Sequence, residues 1–440
     1  MAIERNGKPG AGDVEAVDAP ELRLFVMALF FIFGGITSLN DVIIPKLKAL
    51  FSLDHMQAML VQSAFFAAYF TISLPAAALV RRLGYMRGAI VGLLTMTLGC
   101  LLFLPVAARP AFSLFLLALF VLASGVTIVQ VVANPLISLL GPKRTAHSRL
   151  TFAQAFNALG TTVFPYFGSI LILGSLADVK VSELSGAALD AYRAASAEVV
   201  ARAYLGLAIV LALVAGAVWL HRDRLKGESH ADGPLLAGFG LLKQARFAFG
   251  TLAIFLYVGA EVAIGSLIVL YLEQQHVLAL SAEAAGKLIP LYWGGALVGR
   301  FLGSAALRFV NPGKALAVNA VGAGALILTS ANANGALAAY SLLAIGLMNS
   351  IMFPTIFSLA SEGLGKRATE GSGIICVAIV GGAVIPPLTG RLADLSGSLS
   401  VSLALPAFCY AIIAIFGIFA LRPVEAARVA GSSQAGLQSL

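Results

Sequence analysis

The chain has 440 residues, of which 59% are apolar and only 11% charged, whereas roughly a quarter of the residues in a soluble domain are charged. Long uncharged runs recur along its whole length, which excludes a soluble globular protein and indicates a polytopic, all-α membrane protein. The net charge of +8 does not indicate a nucleic-acid partner: with both termini in the cytoplasm, 21 of the 29 Lys and Arg residues fall inside and 8 outside, as the positive-inside rule requires.

Residues 1–20 are polar and rich in Gly and Asp, with no short apolar core or small-residue cleavage site, so no cleavable signal peptide is expected and the first helix stays as an anchor. Twelve spans are predicted near 23–46, 57–80, 88–107, 111–140, 148–174, 201–221, 247–272, 284–307, 314–331, 334–361, 371–393 and 400–421. Two interruptions are longer than the rest. Residues 177–200 are mixed polar and helix-favouring, and are expected as an external loop with a short surface helix. Residues 222–246 are basic, carry Gly and His, and read as a cytoplasmic linker. The domains expected are therefore a cytoplasmic tail over 1–22, a six-helix bundle over 23–221, the linker over 222–246, a second six-helix bundle over 247–421, and a cytoplasmic tail over 422–440.

The two bundles read as duplicates, because matching features recur in the same order about 220 residues apart. Ala78-Leu79-Val80-x-Arg82 matches Ala296-Leu297-Val298-x-Arg300 at an offset of 218, and Leu122-Ala123-x-Gly125 matches Leu343-Ala344-x-Gly346 at 221. Lys143-Arg144 matches Lys366-Arg367 at 223, and Gly160, Pro165 and Gly168 match Gly382, Pro387 and Gly390 at 222. Parallel six-span repeats with a binding site between them at the bilayer midplane are the architecture of the major facilitator fold. Gly and Pro in spans 4, 5, 10 and 11 let helices approach closely, and each Pro frees a carbonyl that a neighbour must satisfy.

Two acids stand out. Asp41 closes the first apolar run and is still followed by Val42-Ile43-Ile44, which sets it below the interface; pairing with Lys46 or Lys48 at the outer face is the alternative. Glu261 lies in LAIFLYVGAEVAIGSLIVLYL (252–272), with about ten uncharged residues on either side. An ionisable residue within a span marks a functional site by default, and desolvation disfavours the charged form of a carboxyl, which suits reversible protonation. Amides within the spans (Asn40, Gln62, Gln130, Asn134, Gln154, Asn157, Asn319 and Asn349) offer donors and acceptors for sugar hydroxyls, or serve as interhelical bonds. Tyr257, Tyr292 and Trp293 offer a flat apolar surface on which a sugar ring stacks. The turn RRLGYMRG (Arg81, Arg82, Gly84, Arg87) sets topology or acts as a cytoplasmic gate, and a looser counterpart runs from Gly299-Arg300 to Arg308 between spans 8 and 9. Cys100, Cys376 and Cys409 all sit in apolar runs, and the sequence shows neither a disulfide framework nor a metal-ligand spacing. No metal, cofactor or enzyme motif is expected.

RRLGYMRG resembles the glycine- and arginine-rich loop between spans 2 and 3 of the major facilitator proteins. SLNDVIIPKLK, QAMLVQSAFFAAYF, ANPLISLLGP, RLTFAQAFNALGTT and MFPTIFSLA resemble the fucose:proton symporter family, and YVGAEVAIGS and YWGGALVGRF resemble its glucose/galactose transporter branch. The resemblance covers the chain from about Glu21 to Arg422. It implies that Asp41 is the proton-linked aspartate of the Asn-Asp motif. Fucose-transporting members carry a second coupling glutamate just before Ala-Asn-Pro; that position is Gln130 here, and an acid appears instead at Glu261, where they have an amide. This departure argues against L-fucose and moves the second proton site to Glu261.

The function expected is secondary active import of a neutral hexose, glucose and/or galactose, by proton symport with alternating access. Asp41 and Glu261 would couple the proton, and Asn40, Gln62, Gln130, Gln154, Asn157, Tyr257, Trp293 and Asn349 would line the sugar site. Arg81, Arg82, Gly84, Arg87 and Arg300 would form the cytoplasmic gate. The alternatives are an N-acetylglucosamine or L-fucose symporter, a sodium-coupled hexose symporter, and a non-transporting sugar sensor. The expected partners are a small sugar, the proton (or sodium) and the lipid bilayer, for a monomer in a bacterial inner membrane with both termini cytoplasmic.

Overall fold

Apolar runs in a medium without water must satisfy their own backbone polar groups, and the α-helix does so within one segment. The computed structural model describes residues 20–51, 55–108, 111–168, 186–223 and 235–422, and among these it is all helix and connecting turns. The helices are α1 (Pro20–Phe51), α2 (His55–Leu83), α3 (Tyr85–Leu101), α4 (Phe103–Ala108), α5 (Phe112–Leu139), α6 (Ala146–Gly168), α7 (Ala187–Leu220) and α8 (Ala245–Leu272). They continue with α9 (Ala282–Gly286), α10 (Ile289–Ala306), α11 (Pro312–Asn332), α12 (Gly335–Asn349), α13 (Met352–Ser361), α14 (Ala368–Ala378), α15 (Gly381–Ser396), α16 (Leu399–Ser402) and α17 (Ala404–Phe419). Among the described residues, nine helical segments are long and apolar enough to cross a membrane, and Leu22–Ser38 is a shorter apolar helix.

The structure departs from the expected spans in several places. Residues 187–200 form no separate surface helix; they are the first turns of α7, because AALDAYRAASAEVV is rich in strong helix formers and propagates into the apolar run. The span expected over 284–307 is divided at Lys287-Leu288, with Pro290 seated in the first turn of α10, where no helical N–H is needed. The spans over 334–361 and 371–393 are likewise divided, at Ser350-Ile351 and Ile379-Val380. Finally, part of the basic linker is the apolar 3-10 turn Leu235–Lys243, which packs on α2, α8 and α14 with Leu241 fully buried.

Helices α1–α7 pack chiefly on one another, as do α8–α17, and the two groups meet through α6 against α10 and α13, and α14 against α2 and α5. Small residues set the closest crossings. A methyl group at Gly160 would fall on the Phe31 carbonyl where α6 crosses α1, and one at Gly381 on the Phe255 carbonyl where α15 crosses α8. One methyl at Gly346 would strike the Tyr292 carbonyl, where α12 crosses α10. Such contacts leave no slack for a larger side chain.

The prolines also act as the sequence suggests. Pro135 has no N–H for the Val131 carbonyl one turn earlier, and Ser372 Oγ donates to that carbonyl from the other group at 3.0 Å. Pro354 likewise leaves the Ser350 carbonyl without a helical donor, and Arg300 Nε supplies one at 3.4 Å.

The two groups are fastened together at the end of the molecule that carries the linker. Arg81 Nη1 donates to Glu370 Oε1 at 2.8 Å, and Arg367 donates to the other oxygen of Glu370 at 2.8 Å. Thr369 donates to the Tyr85 hydroxyl at 2.9 Å, and Ser148 to the Ser304 carbonyl at 2.6 Å. His147 Nε2 lies 2.9 Å from Glu362 Oε1, while Arg246 takes the other oxygen of that carboxylate.

Candidate functional site

Glu261 stands in the middle of α8, one helical turn after Tyr257 and on the same face. The Tyr257 hydroxyl lies 2.7 Å from Glu261 Oε1 and 3.1 Å from the Asn349 carbonyl. It has one proton, so one acceptor is served at a time. Tyr292, on α10, donates to the Glu261 backbone carbonyl at 3.2 Å and accepts from Asn349 Nδ2 at 2.9 Å. Tyr410, on α17, donates to Asn349 Oδ1 at 2.7 Å. Four helices thus converge on one acid through three buried tyrosines and a buried amide. The Asn349 carbonyl is within reach of Tyr257 because α12 ends there, at the break before α13.

Arg300 is the cation whose field reaches Glu261. It lies inside α10, six residues before the end of that helix, within the span expected over 284–307. Its Nε bonds the Ser350 carbonyl, and its Nη1 bonds the Gln154 carbonyl of α6, in the other group, at 3.1 Å. The contiguous run Gly295, Gly299, Gly303 faces Leu347, Ser350 and Ile351, which fixes the face that Arg300 presents.

On the opposite group, α5 and α6 bring together Gln130, Asn134 and Gln154. Gln154 Nε2 donates to Asn134 Oδ1 at 3.4 Å, and Gln130 Oε1 and Asn134 Nδ2 are buried with no protein hydrogen-bond partner. Buried polar atoms in folded proteins almost always find one; these amides retain donor and acceptor capacity for a hydroxylated ligand. Asn157 is used differently: its Nδ2 donates to the Phe30 carbonyl at 3.3 Å, tying α6 to α1 beside Gly34. Asn319 bonds the Ala315 carbonyl of its own helix.

The expected stacking residues separate. Tyr257 and Tyr292 are sealed in the packing with their hydroxyls engaged, so neither presents a ring face, whereas Trp293 is 42% exposed and lies against Gly265. In the RRLGYMRG turn, Arg81 is bound across the groups, Gly84 has φ 85°, a conformation glycine alone adopts without strain, Arg87 pairs with Asp223 at 3.7 Å on the surface, and Arg82 is exposed. Asn40 and Asp41 lie on α1 and Gln62 on α2, and their side chains fall outside the described residues.

Several participants escaped the sequence. Glu370, Glu362, His147 and Arg246 lie in polar segments at span ends, and the partners that join them to distant helices are over a hundred positions away in the chain. Tyr410 sits in an apolar run like any packing aromatic. A signal was present only for Ser350, as the residue four before Pro354.

The sequence model of the Major Facilitator Superfamily matches residues 26–385. A glucose/galactose transporter of Brucella abortus is 48% identical over 393 residues, covering 89% of this chain and 92% of the relative. An L-fucose-proton symporter of Escherichia coli is 34% identical over 417 residues, covering 91% and 95%. The crystal structure of the transporter FucP in the outward conformation matches with a TM-score of 0.84 at 32% identity, covering 91% of this chain and 99% of that one. Fold and site together define a multi-pass membrane transporter of the major facilitator fold, not an enzyme. The chain belongs to the Major Facilitator Superfamily and, within it, to the fucose:proton symporter family and its glucose/galactose transporter branch.

Proposed function

We propose that this protein is an alternating-access symporter of the bacterial inner membrane that imports a neutral hexose, glucose and/or galactose, together with protons. The observation that carries this is the setting of Glu261. As an anion it accepts the Tyr257 proton at 2.7 Å; once protonated it can donate to the same oxygen, while Tyr257 turns its proton to the Asn349 carbonyl at 3.1 Å. Both protonation states then have partners, which a reversible proton site in a low-dielectric interior requires. The names borne by its relatives, a glucose/galactose transporter and an L-fucose-proton symporter, support the sugar and the ion respectively.

In this cycle Asp41 and Glu261 take up protons from outside and a sugar settles between the two groups, which correspond to the bundles over 23–221 and 247–421. Gln130, Gln154, Asn40 and Gln62 on the N-terminal side, with Trp293 opposite, contribute its contacts, whereas Asn349, expected among them, is buried with both ends of its amide held by Tyr292 and Tyr410 and supports Glu261 instead. The linker face, cytoplasmic in this orientation, then opens as the ion pairs around Arg81 separate. An ionised acid in a carrier that holds sugar alone disfavours opening of the linker face, which keeps sugar and proton movement linked. Calorimetric titration of the purified protein with D-glucose, D-galactose, N-acetylglucosamine and L-fucose tests the substrate. D-glucose or D-galactose is expected to bind most tightly; preference for either of the other two, or no binding by any, overturns the assignment.

A further inference from the structure

We infer that Arg300 is the positioning residue through which the charge on Glu261 controls closure of the linker face. The inference rests on the reading of Glu261 as a proton site and adds the route by which that proton moves the helices. Arg300 touches both sides of the closure: its Nε holds the Ser350 carbonyl, freed by Pro354, and its Nη1 holds the Gln154 carbonyl across the group boundary. The neighbouring carbonyl, Asn349, receives the hydroxyl of Tyr257, which is itself bonded to Glu261. Once Glu261 is protonated and Tyr257 turns its proton to that carbonyl, one continuous set of contacts, through the Asn349–Ser350 peptide link, runs from the acid on α8 to the backbone of α6.

The charges set the direction of coupling. The titratable and charged groups facing Glu261 among the described residues are Tyr257 on its own helix, Tyr292 and Arg300 on α10, and Tyr410 on α17. Arg300 is the one cation in that set, and ionised Glu261 favours its charge through the field between them rather than through an ion pair. With both groups charged, the closed linker face keeps Arg300 compensated and bonded to two carbonyls. Protonation of Glu261 leaves Arg300 a half-buried cation with neutral partners only among the described residues, which is costly. Opening the linker face breaks the Gln154 contact and lets water reach the guanidinium. Lower pH at the site thus favours the linker-open form, the order of events that symport into the cell needs.

The test uses the full chain in lipid nanodiscs, with spin labels at Arg144→Cys and Phe309→Cys, two exposed linker-face positions on opposite groups; the native cysteines are buried. The distance distribution is recorded across pH for the otherwise unaltered chain, Glu261→Gln, Arg300→Gln and Arg300→Lys. Falling pH is expected to shift the unaltered chain toward the longer, linker-open distance, by a population ratio on the order of tenfold, typical of allosteric couplings. Glu261→Gln should stay largely open at every pH, and Arg300→Gln should show no pH-dependent shift although Glu261 is intact. Arg300→Lys keeps the charge but cannot fork to both carbonyls, and should retain a shift of reduced amplitude. If Glu261→Gln keeps the full pH response, the acid is not the proton site and the functional reading itself fails. If Glu261→Gln loses the response while Arg300→Gln keeps it, Arg300 alone is wrongly assigned. Should Arg300→Gln not fold, an undiminished response in Arg300→Lys overturns the role of Arg300 equally.

Discussion

At the scale of single residues, the cluster around Asn349 shows how a buried amide can hold an acid in place without touching it. Both ends of the Asn349 side chain are occupied, by the Tyr292 and Tyr410 hydroxyls. Tyr410→Phe leaves Oδ1 buried without its donor, a loss of about 1–3 kcal/mol. A lower thermal unfolding midpoint is expected for purified Tyr410→Phe; an unchanged midpoint would show that the bond contributes nothing net. At the linker face, Glu370 accepts from Arg81 and Arg367 with its carboxylate only 13% exposed. Breaking a buried pair by removing one charge costs about 3–5 kcal/mol, and Glu370→Gln keeps the shape while removing that charge. Increased labelling of cysteines placed between the groups on the linker side is expected in Glu370→Gln, and labelling equal to the unaltered chain would argue against a gate at this pair.

At the scale of helices, glycine marks where elements meet. Gly346→Ala must push α12 off the Tyr292 carbonyl and with it disturb the bond from Tyr292 to Glu261. A loss of about 1–3 kcal/mol, the usual cost of overpacking, is expected, together with weaker transport. Gly216→Ala on α7 is the control, since a methyl there meets nothing within 4 Å, and folded yield should not fall. These differences also explain what the sequence disclosed. Glu261 was legible because a carboxyl among some twenty uncharged residues reads either as a proton site or as a permanently protonated structural donor, and both readings draw attention to it. The twofold pattern was legible through Gly and Pro, whose backbone roles do not depend on neighbours. The breaks at Ser350-Ile351 and Ile379-Val380 were not, because hydropathy continues unbroken across them. Arg300 was legible as a charge within the span over 284–307, but its bonds to the Ser350 and Gln154 carbonyls were not, because they depend on the break after α12 and on the other group. Glu362 and Glu370 read as ordinary polar connections until the fold brought Arg246, His147 and Arg81 to them.

At the scale of the whole molecule, two groups of helices close on the linker face through pairs that water would weaken, while Glu261, the proposed proton site, lies in the middle of α8 and bonds Tyr257. Such an arrangement converts protonation into movement only if the acid gains and loses its proton in each cycle. The direct measurement is uptake of radiolabelled D-glucose and D-galactose into proteoliposomes under an imposed inward proton gradient, for the unaltered chain, Asp41→Asn and Glu261→Gln. Proton symport at these acids predicts that the unaltered chain concentrates hexose, while the Glu261→Gln carrier exchanges sugar across the membrane but no longer concentrates it. Accumulation by Glu261→Gln equal to that of the unaltered chain, or accumulation that needs a sodium gradient instead, would contradict it.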